Sequence, residues 1–156
     1  MEQPKNNLKI VTDKKTNARV IVLGTLLDPR WGFTPNDEIK IYNRLFDYLV
    51  KKNKIKINQI YFKSHPRSNK KTHEYYKKKL RCNIFKLNEN DFGELEFLNK
   101  KLICVVSLGS TGLLYAKKLF GIDSFIIDVR HYKSHPLMSK ISYNTYIKNG
   151  IKKINI

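Results

Sequence analysis

Lys63, His65 and Arg67 stand within five positions of one another in the run Tyr61-Phe62-Lys63-Ser64-His65-Pro66-Arg67. Between them they offer a point cation, an imidazole that titrates near neutral pH and a guanidinium able to grip a phosphate or carboxylate with two hydrogen bonds. Pro66 removes a backbone donor and holds His65 in extended geometry. Strand alternation sets Lys63 and His65 on one side. An imidazole so placed contacts a phosphate or protonates a leaving oxygen. The plainer alternative is a turn histidine bonded to a backbone carbonyl, with Lys63 an ordinary surface charge.

A second group follows in Ser107-Leu108-Gly109-Ser110-Thr111-Gly112. An apolar run ends there in small residues and opens into a helical pattern. A helix start presents free N–H groups and a positive dipole end, and the hydroxyls of Ser110 and Thr111 add further donors for a phosphate. Gly109 and Gly112 let a ligand approach the backbone. An ordinary helix cap would use the same residue types. The run lacks the Gly-Lys-Ser/Thr ending of a Walker A loop and the Gly-x-Gly-x-x-Gly dinucleotide fingerprint. Glu94 and, less well placed, Glu96 precede this turn on a short helix, where a carboxylate can hold both hydroxyls of a ribose.

The elements that must carry these residues alternate. Arg19 to Thr25, Gln59 to Lys63, Asn83 to Leu87, Leu102 to Ser107 and Ser124 to Val129 read as strands, several of them continuous apolar runs suited to a sheet covered on both faces. Between them, helices are expected from Thr34, an N-cap followed by Pro35, Asp37 and Glu38, and over Lys70 to Leu80, Asp91 to Asn99 and Thr111 to Phe120, the last closed by Gly121. Ile39, Tyr42, Leu45, Phe46 and Leu49 form the apolar stripe of the first helix, which dissolves into Lys51 to Lys54. A final helix is expected over Pro136 to Lys148. About five alternations predict an α/β fold: a single Rossmann-like domain, its sheet mostly parallel with helices on both faces. Residues 1–17 read as a polar tail or connector and residues 18–156 as the domain. Ligands of such sheets bind beyond the carboxyl ends of the strands, where both groups fall. A second Lys-Ser-His-Pro, at Lys133 to Pro136, reads as a coincidence in a loop.

The chain has 156 residues and a net charge of +18, enough length for one core and enough charge to raise nucleic acid, an anionic membrane or an acidic substrate as partners. Lysine outnumbers arginine, and asparagine and isoleucine are abundant, so compositional bias explains part of that charge. Cys82 and Cys104 stand apart without CxxC spacing, which argues against zinc, and Cys104 reads as a buried thiol. No apolar run approaches the roughly 18 residues of a membrane span, and the first residues lack a secretory core, so a cytoplasmic location is expected.

Phe62-Lys63-Ser64-His65-Pro66-Arg67 followed about 45 residues later by Ser110-Thr111 resembles bacterial GT-B sialyltransferases. The lipooligosaccharide sialyltransferases (glycosyltransferase family 52) and the bacterial polysialyltransferases of capsule polysaccharide are most similar, with a His-Pro motif and a later Ser-Ser/Thr pair in the C-terminal, donor-binding domain. The resemblance spans Arg19 to Val129. It implies one half of a GT-B fold, CMP-sialic acid as donor substrate with no further cofactor, and inverting transfer of sialic acid to a glycan acceptor. It implies that His65 contacts the CMP phosphate and protonates it on departure, with Pro66 and Arg67 beside it. Lys63 would lie near the cytidine. Ser110 and Thr111, between Gly109 and Gly112, would hold the phosphate. Glu94 would bind the ribose, and Gly24 and Thr25 would line the crevice.

Full-length relatives also carry an N-terminal domain that binds acceptor and supplies an acidic general base. Asp91-Phe92-Gly93-Glu94 and Asn36-Asp37-Glu38 match that motif poorly. The chain thus reads as the donor half alone, inactive or weak by itself, with a missing N-terminal domain as partner and an anionic inner-membrane surface as a peripheral location. The competing readings are another GT-B-like transferase with a cytidine donor, of the CDP-glycerol type, and a basic nucleic-acid-binding module. Against the last, no zinc knuckle or RNP-like aromatic motif is present, and nucleic acid is not the expected partner.

Overall fold

The computed structural model describes residues 18–25, 34–86, 101–128 and 143–156. Six strands form one sheet: β1 (Arg19–Leu23), β2 (Ile60–Lys63), β3 (Asn83–Ile84), β4 (Leu102–Ser107), β5 (Ser124–Ile127) and β6 (Lys152–Ile154). Their order across the sheet is β3-β2-β1-β4-β5-β6, and every pair is parallel. This is the strand order of the doubly wound nucleotide-binding fold. The order reverses between β1 and β4, the central pair. A crevice opens at such a reversal because the connections leave toward opposite faces of the sheet.

Three helices are complete among the described residues: α1 (Pro35–Asn53), α2 (Lys70–Lys79) and α3 (Gly112–Phe120). A further helical segment covers 143–148. The start of α1 follows from its sequence. Thr34 Oγ1 accepts from the Asp37 N–H at 3.2 Å, and Asp37 Oδ2 accepts from the Thr34 N–H at 2.8 Å, a closed capping box. The helix does not dissolve at Lys51. It runs to Asn53 and ends at Lys54 in the left-handed conformation, with φ 55°. There the lysine takes the role more often given to glycine. Asn69 caps α2 by accepting from the Thr72 N–H at 2.8 Å, and Gly121, at φ 65°, closes α3 as its sequence position predicts.

Two apolar layers sandwich the sheet. Val20, Val22, Phe62 and Val106 meet Ile41, Leu45, Phe46 and Leu49 of α1 and Tyr76 of α2. On the other face Ile21, Leu23, Val105 and Ile126 meet Leu113 and Ala116 of α3 and Tyr146 of the 143–148 segment. Alternation along β1 therefore serves both layers, which is why its sequence is apolar throughout.

One strand departs from the sequence reading. The expected sheet ended at the fifth strand, yet Lys152–Ile154 adds a sixth, paired from Phe125↔Lys152 to Ile127↔Ile154. Three residues with two lysines carry no strand signal. Ile151 and Ile154 are buried, while Lys152 stays outside and bonds Asp123 at 3.3 Å, and charge on an edge strand blocks further pairing. The expected helix over Asp91 to Asn99, the first part of the last helix and the second Lys-Ser-His-Pro lie outside the described residues.

Candidate functional site at the strand ends

The ends of β1, β2 and β4 are stitched into one rim. The Gly24 N–H donates to the Lys63 carbonyl at 2.8 Å. The Ser107 hydroxyl donates to the Leu23 carbonyl at 2.9 Å and accepts from the Gly109 N–H at 3.3 Å. Gly24 is required sterically. A Cβ there would lie 2.8 Å from Phe62 Cζ and 3.1 Å from the Lys63 carbonyl oxygen. The Phe62 ring cannot yield, because it is held edge-on between Tyr42 and Tyr76, with centroids at 5.0 and 5.2 Å. Gly24 thus lets two strand ends close upon each other. Thr25 follows it at the rim.

His65 begins the turn from β2 into α2. The Ser68 N–H returns to the His65 carbonyl at 2.8 Å, with Pro66 and Arg67 exposed at the turn's centre. The imidazole is not tied to a carbonyl. Its Nδ1 accepts from the Arg67 N–H at 3.1 Å. A neutral ring that accepts at Nδ1 carries its proton on Nε2, so Nε2–H is the outward donor. Partial burial, and then the Arg67 charge, push the imidazole below its ordinary pKa. In this state Nε2–H is available to donate a hydrogen bond. It becomes a proton donor once an anion beside it favours the imidazolium.

Lys63 is buried at the end of β2, and its Nζ stands 5.4 Å from the centre of the Phe85 ring. It is no ordinary surface lysine. Glu94 lies outside the described residues.

At the end of β4 the groups are more open. Ser110 Oγ accepts from the Gly112 N–H at 3.2 Å, a local turn bond just before α3. The helix begins at Gly112, one residue later than expected. Thr111 is exposed and its side chain makes no capping bond. A Cβ on Gly109 would meet nothing within 4 Å.

Behind the rim lies a buried polar layer that sequence reasoning passed over. Ser64 Oγ and His73 Nδ1 share a hydrogen bond of 2.9 Å, both residues being buried. One helical turn on, the Tyr76 hydroxyl donates to Glu38 Oε2 at 2.5 Å, and the Thr25 N–H donates to Glu38 Oε1 at 3.3 Å. Glu38 is 3% exposed. Burial raises its pKa to about 7, and the bonds from Tyr76 and Thr25 offset only part of that effect. The Tyr42 hydroxyl donates to the Leu23 carbonyl at 3.3 Å, beside the same carboxyl. The signal was present in the spacing. Glu38, Tyr42, Leu45 and Leu49 recur at helical intervals, which sets the glutamate on the buried stripe of α1.

The outer face of α2 is strongly basic. Lys70, Lys71, Lys77, Lys78 and Lys79 are exposed there, with Arg67 before the helix and Arg81 after it. Glu74 meets Lys77 and Asp47 meets Arg81, both at 3.3 Å in exposed pairs. A groove of about 540 Å³ separates the start of α1 from α2, lined by Thr34, Pro35, Lys71, Glu74, Tyr75 and Lys78. None of the strand-end residues lines it. Among the described residues, no helix is long and apolar enough to cross a membrane. Nor is any group of three His, Cys, Asp or Glu placed to hold a metal. Cys104 is buried with its pKa raised by burial. Cys82 is half-buried and its thiol is pushed up to about 12, so neither is a ready nucleophile.

No individual curated protein matches the chain. The sequence profile of a family described as Alpha-2,8-polysialyltransferase (POLYST) matches residues 2–129. That span includes every strand-end residue discussed above and all of the sheet from β1 to β5. With most of its length matched, this chain belongs to the alpha-2,8-polysialyltransferase family.

Proposed function

We propose that the chain is the donor-binding half of a sialyltransferase-type glycosyltransferase. On this reading it holds CMP-sialic acid at the rim between β1, β2 and β4 and passes sialic acid to a surface-glycan acceptor. The observation that carries this is the placement of the His65-Pro66 turn and the Ser110-Thr111 turn on two strand ends beside the β1–β4 reversal, within the stretch that matches the family. A lone phosphate-suited turn would not carry it.

The chemistry follows from the groups present. As CMP departs, the sialyl centre gains oxocarbenium character and the phosphate gains charge. Nε2–H of His65 donates to that phosphate, and the growing negative charge raises the imidazole's pKa, so the same group can pass on its proton. The Arg67 guanidinium, exposed at the turn, can approach the phosphate from outside. The Thr111 hydroxyl and the open backbone at Gly109 offer contacts from the β4 side, whereas Ser110 must exchange its bond to the Gly112 N–H to take part. Lys63 would sit by the base and Glu94 by the ribose.

The acceptor hydroxyl also needs a base. Glu38 is buried and engaged by two donors, so it does not serve as one. Following the two-domain sialyltransferases that the sequence resembles, we place the base on a second, N-terminal GT-B domain. The chain alone should bind CMP weakly and transfer little. Titration calorimetry with CMP, CDP and UDP tests this: saturable CMP binding, weakened about tenfold or more in His65→Ala, is expected for the loss of one charge-assisted bond. Equal binding of UDP would favour another nucleotide donor, and efficient sialyl transfer by the isolated chain would refute the division of labour.

The basic face of α2 favours a peripheral contact with an anionic inner-membrane surface. Each Lys or Arg near such a surface contributes about 1 kcal/mol. Flotation with vesicles containing phosphatidylglycerol should capture the chain at low salt and release it as salt rises, while neutral vesicles should not.

A further inference from the structure

Glu38 has a position that neither a surface carboxylate nor a simple helix-start charge explains. It lies on the inward stripe of α1, beneath Gly24 and Thr25, where the Tyr42, Phe62 and Tyr76 rings pack. Among the described residues each carboxyl oxygen takes one donor, and the two donors come from different elements: the Thr25 N–H at the end of β1 and the Tyr76 hydroxyl on α2. One turn earlier on α2, His73 holds Ser64, the residue before His65. The helix that follows the His-Pro turn is thus fastened from its buried face to the β2 end directly, at His73, and to the β1 end through Glu38, at Tyr76.

We propose that Glu38 is a positioning residue for the donor site: by holding the Thr25 N–H and the Tyr76 hydroxyl together, it fixes the end of β1 relative to α2 and so to the His65 turn. The inference rests on the reading that CMP binds at this rim. Gly24 and Thr25 are joined to the β2 end by the Gly24 N–H bond to Lys63. Loss of the carboxyl would free the Thr25 N–H and one end of α2 together. The three strand ends would still pack through their apolar residues, yet the ledge they form would no longer be held in one shape. Glutamine has the same length. Its carbonyl can accept from the Thr25 N–H while its amide donates to the Tyr76 oxygen, so it should keep the link.

The test uses the whole chain and CMP as the probe. Wild-type binding comes first: if CMP does not bind, the reading of the rim fails and the role of Glu38 with it. If CMP binds, Glu38→Ala should weaken it about tenfold or more at a temperature where circular dichroism shows a folded chain, the scale of one lost charge-assisted bond. Glu38→Gln should restore affinity to within about threefold, and Tyr76→Phe should fall between them. The Thr25 amide resonance should move strongly in Glu38→Ala and little in Glu38→Gln. Folded Glu38→Ala that binds CMP as wild type does would overturn the proposal. Should Glu38→Ala not fold, Tyr76→Phe decides: unchanged affinity and an unmoved Thr25 amide would overturn it equally.

Discussion

The two sides of the rim are built differently. At the ends of β1 and β2 the groups are buried and cross-linked: Gly24 is locked against Phe62, Ser64 against His73, and Glu38 between Thr25 and Tyr76. Beyond Ser107, which still reaches the Leu23 carbonyl, the turn after β4 is small, more exposed and bonded locally, with Gly109 in open space and Thr111 facing solvent. One side has little room to change shape, while the other leaves hydroxyls and backbone for something outside the chain. On the proposed reading, a site that holds a phosphate in register and also admits and releases it has use for both.

The largest expected difference between the sides comes from charge. Glu38 has a folded-state pKa of about 7 against an ordinary value of 4.5. Its preference for the proton stabilises the fold fully below pH 4.5, and that contribution is lost as pH rises toward 7. Unfolding free energies of wild type and Glu38→Gln should therefore diverge across this window. Glutamine should gain up to about 3 kcal/mol relative to wild type by pH 8, with no further change above. Chemical denaturation at several pH values measures it, and parallel curves for the two proteins would show that the carboxyl is better solvated than its surroundings imply.

A steric contrast comes next. Gly24→Ala forces a methyl group against a clamped ring and a backbone carbonyl and should cost about 1–3 kcal/mol. Gly109→Ala meets nothing and should change stability by about 0.5 kcal/mol or less, or raise it slightly by stiffening the unfolded chain. Equal effects at the two glycines would erase the distinction between a locked and an open side.

How much of this was legible in the sequence depends on the kind of signal. The strands at β1 and β4 announce themselves as apolar runs, and the start of α1 is spelled out by Thr34, Pro35 and Asp37, because capping and burial act within a few residues. The last strand was not legible: Lys152 and Lys153 look like solvent residues until β5 offers them a partner. The His65 turn and the Ser110 turn could be found because a phosphate-suited group at a strand end needs only a local pattern. The link through Glu38 joins residues 13 and 38 positions apart. No local window contains it, and helical periodicity shows only that Glu38 faces inward, without saying what it meets there. The close neighbours of Gly24, Phe62, Lys63 and His65, lie about forty positions on in the chain, so its steric role is not legible in any local window.

The smallest effect separates the two hydroxyls of the open side. Ser110 bonds the Gly112 N–H in the turn before α3, while Thr111, the N-cap, makes no capping bond. Ser110→Ala should lower stability by about 1 kcal/mol, the scale of one lost side-chain-to-backbone hydrogen bond, and Thr111→Ala by about 0.5 kcal/mol or less. If both hydroxyls also hold the donor phosphate, the order should reverse in CMP titrations. Ser110 has to give up its turn bond to reach the ligand, so its net contribution to binding is reduced by what it surrenders, whereas Thr111 surrenders no capping bond. A stability loss at Ser110 paired with an affinity loss at Thr111 would assign one residue to the helix and the other to the ligand. An affinity loss at neither would leave the backbone of the β4 turn, and His65 across the rim, as the phosphate's contacts.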